Sequence, residues 1–454
     1  MNSHIAILDI GKTNKKVLVF DQAYRLVYVH MDVLEEVADE DGFPCEDIVA
    51  LTTWATNQVN SILNNSDFDI RAINFSGYGA SFVLLDQDGN VIAPLYNYLK
   101  PLNQHIKDQF FKEYGGEAKV ALETSSPSLG MLNSGLQLHR LRYENESVFN
   151  QVHSALHLPQ YFHYVFTGHL CSEITSIGCH TMLWNYVTKD YHPWVISGKL
   201  RDKFPPMMSA TDTMPVMLQG KSIMVGTGVH DSSAALIPYL LRKSEPFILL
   251  STGTWSIALN PFSDTPLTSF ELAQDCLCYM TFEGRPVKAS RLFLGHEYEE
   301  QVHKLAIHYN IEEAYFRSLK YETAYLQYQS LESDLSYIGS QGLMRSGFEK
   351  RAWSEIGDAS IAYHVLLNDL VRLQKRAIRI IQDHTITALY IDGGFSKNKV
   401  FMHFMARALP DLQVYAAELP QASAIGAAMV IHAHWNDREL PVQAIDLLKY
   451  PHFE

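Results

Sequence analysis

The sequence predicts an α/β protein built from two related domains, and three observations carry that expectation. At 454 residues the chain exceeds what one hydrophobic core usually supports, so two domains of roughly 200 residues each are expected. Apolar strand-like runs alternate with helix-patterned segments on both sides of about residue 246, the signature of an α/β arrangement. A short element near the start, HIAILDI-GKTN-KKVLVFD, returns 242 positions later as PFILL-STGTWS-IAL. These observations divide the chain into 1–245 and 246–454, joined directly and with a cleft between them.

Each element follows from its pattern. HIAILDI and KKVLVFD are apolar runs around a Gly/Asn turn and read as a hairpin. RAINFSGYGASFVLLDQDGNVIAPLY gives an apolar run, a Gly-Tyr-Gly bend and a second hairpin candidate at Asp88-Gly89-Asn90. The stretch 290–380 is mostly helical by pattern. Its clearest helix, 361–382, carries Leu366, Leu370, Leu373, Ala377 and Ile381 on one stripe, with basic residues toward its end. TALYIDGGFSKNKVFMHFMARAL gives a strand, a double glycine and a helix with Val400, Phe401, Phe404 and Met405 at helical spacing. Small residues over two turns in AIGAAMVIHAHW, 424–435, permit close helix packing.

Composition narrows the class. Hydrophobic residues make up 47% and charged residues 19%, as in a globular enzyme. With 36 Lys plus Arg against 50 Asp plus Glu, the formal charge is −14, which argues against a general nucleic-acid binder. The five cysteines, at 45, 171, 179, 276 and 278, form no CxxC pair and read as buried apolar residues in a reducing compartment. The start shows no secretion signal, and no apolar run approaches the ~18 residues a membrane helix needs. A cytoplasmic protein is expected.

Candidate chemistry gathers at glycine turns. Gly11-Lys12-Thr13 resembles the end of a P-loop, but Ala6 stands where that motif needs glycine, and a strand follows instead of a helix. What remains is a hairpin turn offering amides, Thr13 and a lysine, with Asp9 just before it. Such a turn can grip phosphate oxygens while one carboxylate holds a hydrated Mg²⁺. Ser251-Thr252-Gly253-Thr254 offers a second donor cluster, and Gly393-Gly394 a place where a flat or anionic group can approach backbone. In GTGVHDSSAALIP, 226–238, Asp231 is either a helix N-cap or the base that takes a proton from an attacking hydroxyl. The glycines before it suggest room for a ligand.

Six ordered segments resemble the FGGY carbohydrate kinases, most closely the rhamnulokinase and fuculokinase-like branch. These are LDIGKTNKKVLVFD, QYFHYVFTGHLCSEITSIGCHTMLWN, GTGVHDSSAA, LLSTGTWSIAL, YIDGGFSKNKVFMHFMA and SAIGAAMVIHA. The resemblance implies two actin-like, ribonuclease-H-like ATPase domains with an interdomain active-site cleft holding ATP and Mg²⁺. It implies Asp231 as general base, His230 as a sugar contact and Asp9 as the carboxylate near Mg²⁺. Gly11, Thr13 and Lys16 fall on the first phosphate turn, Thr252, Gly253 and Thr254 on the second, and Gly393, Gly394 and Asn398 beside the adenosine.

The sugar side departs from the family pattern. Tyr78-Gly79-Ala80-Ser81 stands where rhamnulokinases look like Trp-Gly-Val-Asp, and Tyr96-Asn97-Tyr98-Leu99-Lys100 lacks the expected Asp and Arg. Tyr78, Gly79 and Ser81 are the candidate sugar contacts here, and the loss of a charged acceptor is expected to shift which hydroxyl pattern is accepted. The expected acceptor is a ketose, either a 6-deoxyketohexose such as L-rhamnulose or L-fuculose, or a ketopentose such as xylulose or ribulose. A non-catalytic sugar-binding or regulatory relative of the same fold is the alternative.

Overall fold

The computed structural model describes all residues except 1–2, 243–244, 324–335, 340–342, 442–444 and 452–454. Two seven-stranded sheets dominate it. The first contains β1 (Ser3–Ile10), β2 (Lys15–Asp21), β3 (Leu26–Asp32), β4 (Asp69–Gly77), β5 (Thr213–Leu218), β6 (Lys221–Gly226) and β7 (Val229–His230). Its order is β5-β6-β4-β1-β2-β3, with β7 also pairing β4. The second contains β8 (Phe247–Thr252), β9 (Ser256–Asn260), β10 (Cys276–Met280), β11 (Pro286–Leu292), β12 (Ala388–Gly393), β13 (Gln413–Glu418) and β14 (Asp446–Tyr450). Its order is β10-β11-β9-β8-β12-β13-β14.

The repeat seen in the two hairpins therefore extends across both sheets. An antiparallel meander is followed by a parallel strand, a second parallel strand and an antiparallel edge, with β10 added at one side.

Among the helices of the described residues, eight bear on the core and the site: α1 (Ile48–Asn64), α2 (Leu158–Thr167), α3 (Ile174–Ile177), α4 (Asp231–Leu240), α5 (Leu294–Tyr309), α6 (Ala359–Ile381), α7 (Lys399–Ala408) and α8 (Ala422–Val430). Strand alternation assigns the layers. From β1, Ala6, Leu8 and Ile10 pack with α1 and α2 residues such as Leu51, Val59 and Phe162. Ile5 and Ile7 face the other way, toward Ala234 of α4 and Ala427 and Ala428 of α8. From β8, Ile248 and Leu250 meet Leu366 and Leu370 of α6 and Phe401 of α7, while Phe247 and Leu249 join the same cluster as Ile5 and Ile7. Thus α4 and α8 share the apolar layer between the two sheets. The predicted stripe of α6 is buried throughout, and Asp358 caps the helix by accepting from Ile361 N at 2.9 Å.

The small residues of 422–430 serve this middle layer. A Cβ on Gly426 would lie 1.8 Å from the Ala234 carbonyl oxygen, so only glycine admits the α4–α8 crossing. The division at 245/246 falls in the connection between α4 and β8. Packing nonetheless crosses it, because α8 lies against β1 and β4 of the other half.

Among the described residues no helix is long and apolar enough to cross a membrane.

Candidate active site

The site forms where parallel strands end, as α/β sheets generally arrange. One row across the first sheet runs Lys16 on β2, Asp9 on β1, Ser76 on β4 and Val229 on β7. The next row brings Ile10, Gly77 and His230 into line. Asp9 and Asp231 thus emerge at the same end of the sheet with β4 between their strands. Burial pushes the Asp9 carboxyl above the usual carboxylate range, with Lys16 pulling it back and Asp231 adding to the rise. Asp9 Oδ1 also accepts from Ser423 Oγ at 3.1 Å, a residue of α8.

The first turn is closed by Gly11 N donating to Asn14 O at 3.0 Å. Lys15, 2% exposed, locks it from beneath by donating to Gly11 O and Lys12 O, both at 2.9 Å, and to Glu46 Oε1 at 3.0 Å. Lys15 was not singled out in the sequence, where a lysine beside a lysine carries no signal. Thr13 is exposed at the tip. Lys16 reaches the other half, donating to Gln421 Oε1 at 3.1 Å.

Asp231 is the first residue of α4, and His230 occupies the N-cap position. The carboxylate still serves the helix start, because Oδ1 accepts from Ser232 N at 2.6 Å and from Ser232 Oγ at 3.3 Å. Its side chain is 38% exposed and lines a cavity of about 870 Å³ together with Tyr78, Gly79, His180, His230 and Tyr279. His230 is buried, its Nε2 3.5 Å from Asp231 Oδ1, and burial holds its pKa below the ordinary imidazole value. A Cβ on Gly79 would lie 2.7 Å from the His230 ring, so Gly79 is what lets that ring in.

A buried chain supports this segment from behind. His230 N donates to Thr175 Oγ1 at 2.9 Å, and Thr175 Oγ1 donates to Glu173 Oε2 at 2.5 Å. Glu173 caps α3, accepting from Thr175 N at 2.9 Å and Ser176 N at 3.3 Å. Burial pushes its carboxyl up to about 7 against those hydrogen bonds.

Several expectations meet a different placement. Gly226 and Gly228 make no room for a ligand. A Cβ on Gly226 would lie 2.3 Å from the Asn74 side chain, and one on Gly228, at φ +82°, 2.8 Å from Pro159. Asn74 needs that space, because it accepts from Gly228 N at 3.0 Å and donates to Ala427 O at 2.7 Å. Ser81 is buried beneath the cavity, its hydroxyl donating to Tyr96 O at 2.9 Å. Lys100 borders the cavity, but its ammonium is held by Asp39 at 2.6 Å and Asp41 at 2.5 Å.

The second turn faces a separate cavity of about 560 Å³, lined by Gly253, Thr254, Gly295, Glu299, Gly394 and Asn398 among others. Gly253 N donates to Trp255 O at 2.8 Å. A Cβ on Gly295 would lie 1.9 Å from the Gly253 carbonyl, which seats α5 against the turn. Thr252 faces inward instead: its hydroxyl donates to Asp392 O at 2.5 Å and accepts from Phe395 N at 3.0 Å. Gly393, at φ +90°, has no room for a Cβ because Thr252 O lies 1.9 Å away, whereas Gly394 faces open space. Asn398 caps α7 through Phe401 N at 3.1 Å and donates to Tyr363 Oη at 2.9 Å. Gly295 and Glu299, which follow no recognisable motif, were not anticipated.

Comparison with known proteins agrees with this architecture. The family description "FGGY family of carbohydrate kinases, N-terminal domain" matches residues 4–237, and "Carbohydrate kinase FGGY, C-terminal domain" matches residues 244–327. A rhamnulokinase of Mannheimia succiniciproducens is 25% identical over 56% of this chain and 53% of its own length. An L-fuculokinase of Escherichia coli is 23% identical over 60% of each. The chain thus spans about half to three-fifths of these curated relatives. A carbohydrate kinase from Novosphingobium aromaticivorans superposes with a TM-score of 0.81 at 23% identity, covering 100% of this chain and 95% of that one. A xylulose kinase from Rhodospirillum rubrum gives 0.78 at 15% identity, covering 99% and 94%. The fold is the two-domain actin-like, ribonuclease-H-like one, and the chain belongs to the FGGY family of carbohydrate kinases.

Proposed function

We propose that this protein transfers the γ-phosphoryl group of ATP to a primary hydroxyl of a ketose, with Asp231 as general base. The observation that carries the reading is the half-exposed Asp231 carboxylate on the wall of a cavity of about 870 Å³, large enough for a monosaccharide. Its Oδ1 is engaged by Ser232, which leaves Oδ2 to meet a substrate hydroxyl. A sugar hydroxyl is a far weaker acid than a carboxylic acid, so proton transfer comes late, as charge moves onto the transferring group. Closure around the sugar excludes water and limits wasteful hydrolysis of ATP.

The nucleotide is assigned to the cavity of about 560 Å³, where Gly253, Thr254, Gly394 and Asn398 offer backbone and amide groups and Gly394 leaves space that a side chain would fill. Gly11, Thr13 and Lys16 are assigned to the phosphates from the opposite half. The residues fit Mg²⁺, an ion that takes one or two carboxylates and keeps its waters. Asp9 is one partly buried carboxylate, and among the described residues there is no group of three or more ligating side chains that would favour a dedicated protein cage. When bound, Mg²⁺ neutralises phosphate charge. Asp9 would hold it, and Lys16 and Ser423 orient Asp9.

Similarity to proteins named rhamnulokinase, L-fuculokinase and xylulose kinase supports L-rhamnulose, L-fuculose, xylulose and ribulose as the first acceptors to test. For a 6-deoxyketohexose the phosphate goes to C1, because C6 carries no hydroxyl, and for a pentulose to C5. Coupled detection of ADP across this panel, beside Asp231→Asn, tests the reading. One ketose is expected to raise ADP release in the wild type only. If none does, the kinase reading fails and the reading as a non-catalytic sugar-binding or regulatory relative gains.

A further inference from the structure

The cavity at Asp231 has a second wall, and of its polar and aromatic residues the sequence motifs include only Trp255. Asp275, Tyr279, Arg291 and Trp255, all from the carboxy-terminal half, face Asp231 and His230 across it. Three rings join the halves at its floor: His230 stacks on Tyr279 at 5.6 Å and 26°, and His180 meets them edge-on at 6.1 Å and 5.9 Å.

Around this one cavity lie buried polar atoms without a hydrogen-bond partner: both ring nitrogens of His180, Nδ1 of His230, Oδ2 of Asp275 and Nε of Arg291. Five such atoms converge on this one chamber, where a polar ligand would give them partners. Asp275 stands in a left-handed conformation, φ +58°, with its Oδ1 accepting from Arg291 Nη2 at 2.6 Å. The guanidinium also lies over the Trp255 ring at 5.5 Å.

From this wall we infer that Asp275 and Arg291 are specificity-determining residues that grip two neighbouring hydroxyls of the acceptor, and that the acceptor is an uncharged sugar and not a sugar acid. The paired ions carry no net charge, yet they set a carboxylate acceptor beside guanidinium donors, which suits one hydroxyl that donates and a neighbour that accepts. Among the described residues that line the cavity, a sugar carboxylate would find no unspent cation. Arg291 is neutralised by Asp275, Lys100 is taken by Asp39 and Asp41, and Asp231 stands opposite as a like charge. Burial, then His230 and Arg291, hold His180 well below its ordinary pKa, so it adds a neutral donor and acceptor and no charge. Since Asp231 comes from one half and the ion pair from the other, a gripped sugar draws the two together.

The inference rests on the sugar-kinase reading of the same cavity, and one set of measurements separates the two. D-xylulose, D-ribulose, L-rhamnulose, L-fuculose and D-gluconate are assayed by ADP release with the wild type, Asp275→Asn and Arg291→Met, and their binding is followed by calorimetry. A ketose is expected to be turned over, and its KM to rise about tenfold or more in each variant while KM for ATP stays within about twofold. Unchanged melting temperature and ATP affinity show that the variants are folded; should either variant not fold, Arg291→Lys replaces it and is expected to give a smaller rise in the same KM. Unaltered sugar KM in the folded variants overturns the inference and leaves the kinase reading intact, whereas turnover with preference for gluconate overturns the inference together with the ketose acceptor and leaves only phosphoryl transfer standing. If the wild type turns over nothing, the kinase reading fails and calorimetry decides. Neutral-sugar binding weakened about tenfold by the substitutions sustains the grip, whereas gluconate binding or no binding overturns it.

Discussion

The two sheets place the same frame around opposite chemistry. Where β1 and β4 run side by side, Asp9 pairs with Ser76. At the matching position of β8 and β12, Ser251 pairs with Asp392. The acid and the hydroxyl have changed strands. Asp9 sits beside Lys16 and near Asp231, with Ser423 as its hydrogen-bond donor. Asp392 accepts from its neighbour Gly393 N at 2.7 Å and, like Asp9, from a helix of the other half, through Tyr239 Oη of α4 at 3.2 Å. The same strand frame thus carries different side chains in its two halves: Lys16, Asp9 and Asp231 cluster at the end of one sheet, and hydroxyls and glycines at 251–254 and 393–394 at the end of the other.

The largest expected effect is on the charged half. Asp231→Asn should cut kcat about a thousandfold while sugar affinity holds, since a general base contributes roughly 10²–10⁴; an ADP-release assay paired with calorimetry checks it. An equally active variant would assign the base elsewhere. Next comes backbone fit. Gly393→Ala must put a Cβ 1.9 Å from Thr252 O at φ +90°, and should cost about 3 kcal/mol or more in urea unfolding. Its counterpart Gly77 would meet Pro159, whose Cγ is nearest at 3.2 Å and Cδ next at 3.4 Å, so Gly77→Ala should cost about 1 kcal/mol. Equal losses would mean that the two strand ends are not distinct.

The exchanged carboxylates give the third comparison. Asp9→Asn should lower kcat about a hundredfold and raise the Mg²⁺ concentration needed, whereas Asp392→Asn should cost less than about tenfold. A reversal in an Mg²⁺ titration would relocate the metal to the other half. The smallest effect concerns Glu173. Its folded pKa, about 7, lies above the unfolded value, so its contribution to stability is complete at low pH and is lost as pH rises through about 7. Relative to Glu173→Gln, the wild type should lose about 2 kcal/mol between pH 5 and pH 8 in urea unfolding. Parallel pH profiles would show that Glu173 does not titrate in that window.

What the sequence disclosed divides along the range of the contacts. Both hairpins, the stripe of α6 and the bend before Asp231 are local patterns, and local periodicity or turn chemistry specifies them. Asp275, Arg291, His180 and Tyr279 stay hidden because no spacing links them. They meet only when β10 and β11 are carried against the segment after α3. The glycines of GTGVHD misled for a related reason. A glycine announces a close approach but not its object, and here the objects are Asn74 and Pro159. Ser81 shows the converse, a polar residue at a family position whose hydroxyl serves a backbone carbonyl.

The crossing of α8 has a consequence for how the molecule is made. Residues 422–430 cover Ile5, Ile7, Leu18 and Phe20, which are synthesised roughly 400 residues earlier. During that interval one face of the first sheet lacks its final cover, and a nascent chain released at the α4–β8 junction would present it to chaperones or to other chains. The amino-terminal half therefore does not complete the cover of its own sheet, and the last piece arrives only with the helix that also brings Ser423 to Asp9.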